Sequence, residues 1–253
     1  PVIIVWSNSC VTAHWWICIL SKHHNARSHK KKQKREYVNC QFLHSIVIRL
    51  LLWYATLIGL LWNDTIAVPN QPTNMNHTHM HIAAIETSCD ETAIAIIEVS
   101  RAGRSFRVLS NIVLSQIDLH AQWGGVVPNL AKREHQRNLV PLLLQALKEV
   151  ERIDLRFKKY DLRKTPKEKK LKSKILNLKS VLEREPELLT QFKKYILSLP
   201  KPPIDLIAVT QGPGLEPALW VGVNFARALS YLWNIPLVGI NHMEGHLTSA
   251  LLA

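Results

Sequence analysis

At 253 residues the chain is long enough for one large or two modest domains with a sizeable buried core. Its formal charge of +13 suggests a nucleic-acid surface until it is divided by region: residues 1–79 carry 8 Lys and Arg against 2 acids, residues 151–203 carry 16 against 7, and the remainder carries 8 against 10. The basicity therefore belongs to two appendages that could attract a polyanion, which excludes a basic groove across the body of the protein.

The first eighty residues begin at Pro1 and contain no methionine before Met75 and Met80. Trp6, Trp15, Trp16, Trp53 and Trp62 fall here, with a basic run from Lys30 to Arg35 and an apolar run from Ile46 to Trp62 interrupted by Arg49. A basic flank before an apolar run has the form of a signal anchor, but this run is shorter than the roughly 20 apolar residues a spanning helix needs. Three readings compete: a membrane anchor, a folded leader, or upstream sequence translated in frame. The third is favoured, because sustained periodicity is missing until directly after Met80, so no membrane association is expected. Cys10, Cys18 and Cys40 lie in this leader, and with Cys89 they show neither metal-ligand spacing nor a disulfide framework. A reduced, cytoplasmic setting follows as the expectation.

From Met80 onward the pattern is α/β. Ile82 to Glu86 and Ala93 to Val99 read as strands joined by the polar turn Thr87-Ser88-Cys89-Asp90-Glu91-Thr92. Phe106 to Leu114 is a third strand, and Gly124-Gly125 a loop. Pro128 suits the first turn of a helix in which Leu130, Leu139, Leu142, Leu143, Ala146, Leu147 and Val150 recur at helical spacing, with a kink expected at Pro141. Residues 151–203 are lysine-rich and lack glycine, with helical stretches around 167–185 and 186–199. The plain account is a solvated helical insertion between core elements; the sharper one is an RNA-facing arm. Ile204 to Thr210 then reads as a buried parallel strand, Gln211-Gly212-Pro213-Gly214 as a turn into a helix from about Pro217 to Trp233, and Ile235 to Ile240 as the next strand. A right-handed crossover would bring Gly212, Gly214 and the residues after Ile240 to one edge of the sheet, where ligands gather.

Those last residues are Asn241-His242-Met243-Glu244-Gly245-His246. Histidines four apart share one helical face and can grip a divalent transition metal with room for a third ligand and an open position. A pair of surface or satisfied core side chains is the plainer account. The order is His-x-Glu-x-His, not His-Glu-x-x-His, so Glu244 points away from the ring face, which argues against a zincin protease. Asp90 and Glu91 at the turn tip can orient a reacting group, a hydrated cation or phosphate oxygens, or be an ordinary acidic turn. Cys89 reads as a small packed side chain, since a basic partner is not evident. The Gly212-Pro213-Gly214 turn could offer amides to an anion but reads first as a tight turn.

In combination these segments are recognisable. Ile85-Glu86-Thr87-Ser88-Cys89-Asp90-Glu91-Thr92, His120 with Gly124-Gly125-Val126-Val127-Pro128, Gly212-Pro213-Gly214-Leu215 and His242-Met243-Glu244-Gly245-His246 occur in that order. The chain thus resembles the tRNA N6-adenosine threonylcarbamoyltransferase family (TsaD in bacteria, formerly the O-sialoglycoprotein endopeptidase or Gcp family) over residues 80–150 and 204–253, the N-terminal part of a typical member. The resemblance implies the first lobe of an actin/Hsp70/sugar-kinase-like fold spanning 80–253, with a basic helical insertion at 151–203 and residues 1–79 as a leader outside it. It implies transfer of the threonylcarbamoyl group of threonylcarbamoyl-adenylate to the N6 amine of the adenosine next to the anticodon (adenosine 37) in tRNAs reading A-starting codons. Of the metal, usually taken to be iron, His242 and His246 would be ligands; Asp90 and Glu91 would stand near the reacting centre. A paralogous inactive subunit and a small ATPase are the implied partners. The Ser-Gly-Gly loop, the metal-binding aspartate and the second lobe are expected beyond Ala253, so these residues alone are expected to be inactive. A metalloprotease, or a kinase or scaffold of the same fold, are the alternatives. Glu216-Pro217 and the basic insertion are departures from the family pattern.

Overall fold

In a computed structural model of the chain, residues 79–100, 105–154, 157 and 171–249 are described. The leader reading concerns residues that lie almost wholly outside these. Among the described residues, no helix is long and apolar enough to cross a membrane.

Three antiparallel strands come first: β1 (His79–Glu86), β2 (Glu91–Ser100) and β3 (Phe106–Ser115). A short helix α1 (Ile117–Ala121), not anticipated from sequence, leads to the long α2 (Pro128–Ile153), which remains helical through Pro141. Then follow α3 (Leu171–Val181), α4 (Pro186–Gln191) running into a π turn at Phe192–Ile196, β4 (Leu206–Gly212), α5 (Glu216–Trp233), β5 (Leu237–Asn241) and α6 (His242–Ser249). The sheet order is β3-β2-β1-β4-β5, with β1–β4 and β4–β5 parallel and β1–β2 and β2–β3 antiparallel. The fold class is α/β with a mixed sheet, as the resemblance implied.

β1 is the central strand, and Ile82 through Ser88 are buried. Alternate residues feed two cores. Ala83 and Ile85 face α2 and α5 with Ile94, Ile96, Leu139, Leu143, Val221 and Phe225. Ile82 and Ala84 face the other way with Ala95, Ile97, Leu206, Ala208 and Ile240. Strands apolar on both faces are what a sheet covered on both sides requires.

The lysine-rich segment is not merely solvated, and here the expectation is corrected. Phe157, Leu178, Leu182, Leu188, Phe192 and Ile196 are fully or almost fully buried within the main core. Phe192 meets Phe225 of α5 edge-to-face, centroids 6.1 Å apart. The buried carboxylate of Glu185 accepts a hydrogen bond from Asn224 Nδ2 at 3.1 Å, fastening the α3–α4 junction to α5. Lysines dominate the composition, but apolar residues spaced to face inward dock the segment.

Candidate active site at the carboxyl ends of β1, β4 and β5

Parallel pairing of β1, β4 and β5 puts their C-terminal residues, Glu86, Gly212 and Asn241, on one edge of the sheet. Antiparallel β2 begins at that same edge with Glu91. The topology alone therefore gathers the acidic turn, the glycine turn and the histidine helix, where ligands of open α/β sheets sit.

Asn241 ends β5 and starts α6: its Oδ1 accepts from the amides of Met243 at 2.8 Å and Glu244 at 3.3 Å, an N-cap that sets the helix directly on the strand end. On α6 the rings of His242 and His246 stand edge to face, centroids 4.5 Å apart, with their Nε2 atoms 3.0 Å apart. His242 Nδ1 lies 3.4 Å from Glu86 Oε2. With Nδ1–H donating to that carboxylate, the Nε2 lone pair of His242 faces His246.

Glu86 is the hub. It also accepts from the Ser88 amide at 2.6 Å and from the Thr210 hydroxyl. Burial opposes its charge, but the hydrogen bond and charge of His242, with the bonds from Ser88 and Thr210, hold it down at about 2. It is a carboxylate at any physiological pH. Thr210 precedes an irregularity in the β4–β5 ladder between Thr210 and Gly212, the kind of bulge common beside functional sites.

Glu91 behaves in the opposite way. Its burial, and the neighbouring charges of Asp90 and Glu86, push it up to about 8, so it keeps its proton at neutral pH. Asp90, part-buried, forms the tip of the turn, and its carbonyl accepts from the Gln116 amide at 2.8 Å. Glu86 and Glu91, on either side of the turn, are thus held in different protonation states, a pattern that separates acid and base roles.

The turn is fixed from two sides. From below, buried His135 donates from Nε2 to the Cys89 carbonyl at 3.0 Å and accepts at Nδ1 from Thr92 Oγ1 at 2.8 Å. Burial lowers His135 to about 4, so the ring is neutral and can play both parts. Gln116 links this ring to His120: Gln116 Nε2 lies 3.3 Å from His135 Nδ1, and Gln116 Oε1 accepts from His120 Nε2 at 3.2 Å. His120 Nδ1 in turn accepts from the Val127 amide at 3.3 Å. From the side, the start of α5 presses on the turn. Leu215 N–H donates to the Ser88 carbonyl at 2.7 Å and Thr87 Oγ1 donates to the Ala218 carbonyl at 3.0 Å. A Cβ on Gly214 would stand 2.6 Å from Ser88 O, and one on Gly222 would collide with Thr87 Oγ1. The amide of Leu215 is thus used on the protein's own backbone, and these glycines serve close approach.

Of the residues singled out from sequence, Asp90 and Glu91 and the pair His242 and His246 all stand at this edge, linked through Glu86. Glu86 received no role from sequence, although an acid ending an apolar strand was a signal. A cavity of about 690 Å³ lined by Arg137, Val140, Leu144, Lys148, Lys194 and Tyr195, among others, shares no residue with the site.

The donor set fits a divalent metal. Two imidazole nitrogens bonded to one ion at about 2.0–2.1 Å stand roughly 3 Å apart when adjacent in its shell, and the two Nε2 atoms already do. A carboxylate on the far nitrogen of a ligating histidine is the usual outer support of such a site.

Fold and site together define an α/β protein with a mixed five-stranded sheet and a paired-histidine centre at its strand ends. Within that class the comparisons are specific. The family model described as "TsaD: tRNA N6-adenosine threonylcarbamoyltransferase" matches residues 107–161 and 192–253; the gap between them lies inside the lysine-rich segment. A tRNA N6-adenosine threonylcarbamoyltransferase of Anaeromyxobacter dehalogenans is 40% identical over 172 residues, 68% of this chain and 36% of that protein. One of Thermomicrobium roseum is 38% identical over 168 residues, 66% of this chain and 32% of that protein. YeaZ from Pseudomonas aeruginosa superposes with a TM-score of 0.32 at 12% identity, over 64% of this chain and 44% of that one, too distant to carry weight. The chain belongs to the tRNA N6-adenosine threonylcarbamoyltransferase family, and it spans about a third of the length of the curated relatives it matches.

Proposed function

We propose that this chain supplies the first-lobe half of the active site of a transferase that moves the threonylcarbamoyl group of threonylcarbamoyl-adenylate onto N6 of adenosine 37 in tRNA. The observation that carries it is the joining of the histidine pair to the acidic turn through Glu86, at one sheet edge, in a chain of this family.

His242 and His246 would hold one divalent metal, iron by family resemblance, with Glu86 fixing the His242 tautomer. When bound, the ion would supply Lewis-acid polarisation and a template for the adenylate. The protein's own groups divide the remaining work. Glu91, protonated at neutral pH, donates a hydrogen bond toward the acyl donor; Asp90, at the turn tip, takes the proton that the attacking amine releases. A new N–C bond forms as the bond from the acyl carbon to the adenylate phosphate oxygen breaks, and adenylate leaves as its phosphate anion. The His135 network and the α5 contacts keep the turn in position, which is how orientation lowers such a barrier. In this reading tRNA is the substrate, a catalytically inactive paralogue and a small ATPase are the companions, and the reaction takes place in the cytoplasm.

The test is a chimera in which this chain replaces the matching third of the Anaeromyxobacter dehalogenans transferase. It is assayed with tRNA, threonylcarbamoyl-adenylate and ferrous ion, and the modified nucleoside is measured by chromatography. Modification should appear and fall at least a hundredfold with either His242→Ala or His246→Ala, while casein stays intact. Unchanged transfer in both histidine variants overturns the metal role, and proteolysis without transfer overturns the function.

A further inference from the structure

We infer that His81, Glu98 and Asp154 form a second divalent-metal site, separate from the histidine pair, which takes a borderline transition ion of the Zn2+ class and staples α2 to the sheet. His81 lies five residues before Glu86 on β1, roughly 17 Å along the strand from the proposed active site. The inference does not depend on the function proposed above.

The three groups come from three elements. His81 and Glu98 are register partners across β1 and β2, so both side chains rise from the same face of the sheet as direct neighbours. Asp154 is the C-cap of α2; its extended backbone, with its amide on Val150 O at 3.0 Å, turns the chain back over that face. One ligand atom from each residue lies within 4.8 Å of the other two. His81 Nε2 stands 3.2 Å from Asp154 Oδ2 and 3.9 Å from Glu98 Oε1. Ligands at 2.0–2.2 Å around one tetrahedral ion are spaced by roughly 3.3–3.6 Å, so the His81–Asp154 pair is nearly in place and Glu98 needs only a small rotation.

The surroundings suit a built site. The side chain of His81 is 0% exposed, that of Asp154 6% and that of Glu98 19%. The ring is oriented by Phe157, edge-to-face at 5.2 Å, and its backbone is clamped by reciprocal bonds with Asp205, each 2.8 Å. Two carboxylates brought together at low exposure demand compensating positive charge. Arg107 gives part of it, through Nε on Glu98 Oε2 at 3.2 Å and Nη2 at 3.8 Å from Asp154 Oδ2, but its side chain is 54% exposed. It approaches Glu98 by the oxygen that does not face His81, so it can remain an outer partner while Oε1 binds the ion. One imidazole and two carboxylates, without sulfur, select Zn2+, Mn2+ or Fe2+ over softer ions, and the exposed side of Glu98 leaves a position for water.

The test uses the full chain carrying His242→Ala and His246→Ala, which removes the proposed catalytic ligands. It is titrated with Co2+, followed by visible d–d absorption, and then with Zn2+ in competition. One saturable equivalent is expected, with a Zn2+-dependent rise in Tm. Glu98→Gln and Asp154→Asn, which keep side-chain size, should each weaken Co2+ binding at least tenfold and abolish the Tm rise; circular dichroism confirms that they fold. Absence of a saturable Co2+ band in the double-histidine variant overturns the site. So does uptake unchanged in both Glu98→Gln and Asp154→Asn, which would assign the ion to other histidines of the chain.

Discussion

His242 and Glu86 are 156 positions apart in the chain and 3.4 Å apart in space, the imidazole Nδ1 facing the carboxylate Oε2. The contact sets which nitrogen of His242 is free to bind, because a proton held on Nδ1 leaves the Nε2 lone pair directed at His246. Replacing Glu86 by Gln keeps the shape and removes the charge. We expect a drop in affinity for ferrous or cobaltous ion at the histidine pair of about 10–100-fold, the usual effect of losing an outer-shell carboxylate. Metal titration of the Glu86→Gln chain checks this, and wild-type affinity would show that Glu86 does not act through His242.

Glu91 makes a prediction about pH. Its ordinary value is 4.5 and in the fold it is pushed up to about 8, so the folded chain keeps a proton that the unfolded chain releases. Stability should fall as pH rises from about 4.5 to 8 and level off above. His135 acts with the opposite sign: lowered from 6.5 to about 4, it removes stability as pH falls through that range. Above 6.5 the His135 contribution is complete and the Glu91 slope remains, with buried Glu185, also raised, acting in the same direction. Urea midpoints measured between 6.5 and 8 should decline less steeply in Glu91→Gln than in the wild type; equal slopes would contradict the assignment.

The seam between α5 and the acidic turn predicts a coupled pair. Gly222→Ala sets a methyl group against the Thr87 hydroxyl and should cost about 1–3 kcal/mol, the usual range for overpacking. Thr87→Ala removes the obstructing oxygen, so the double variant should be less destabilised than the two single losses combined. Strict additivity in urea midpoints would mean that the two positions do not press on each other.

Phe192 tests the correction concerning the lysine-rich segment. A solvated arm would tolerate Phe192→Ala, whereas a ring fully buried against Phe225 should lose about 3–5 kcal/mol. Thermal unfolding of the variant decides between the two.

Strand and helix positions were legible because period-two and helical spacings leave a direct trace, and glycine and proline mark the turns between them. The strand from Ala93 to Val99 and the helix from Pro217 to Trp233 emerge within a few residues of their expected bounds. The histidine pair was legible because its spacing is local. Glu86 was not, since what singles it out is convergence with Thr210 and His242, each more than 120 residues away. The burial of the insertion was hidden for a related reason: composition averages over a helix, so lysines on the outer face mask Leu178, Leu182, Phe192 and Ile196 on the inner one. The network from the Cys89 carbonyl through His135 and Gln116 to His120 is likewise invisible in sequence, because it passes through a backbone carbonyl and a glutamine.

β1 is bonded along both sides, antiparallel to β2 and parallel to β4, while β3 and β5 stand at the margins of the sheet. Each amide there points into one ladder or the other and none faces solvent from a sheet edge, so Ile82 to Ile85 should be among the slowest of the described residues to exchange with deuterium. Glu86 is the last residue of that strand. The carboxylate that orients His242 thus grows from a strand tethered on both flanks, whereas α6 continues from a marginal strand and is tied to it by the Asn241 cap.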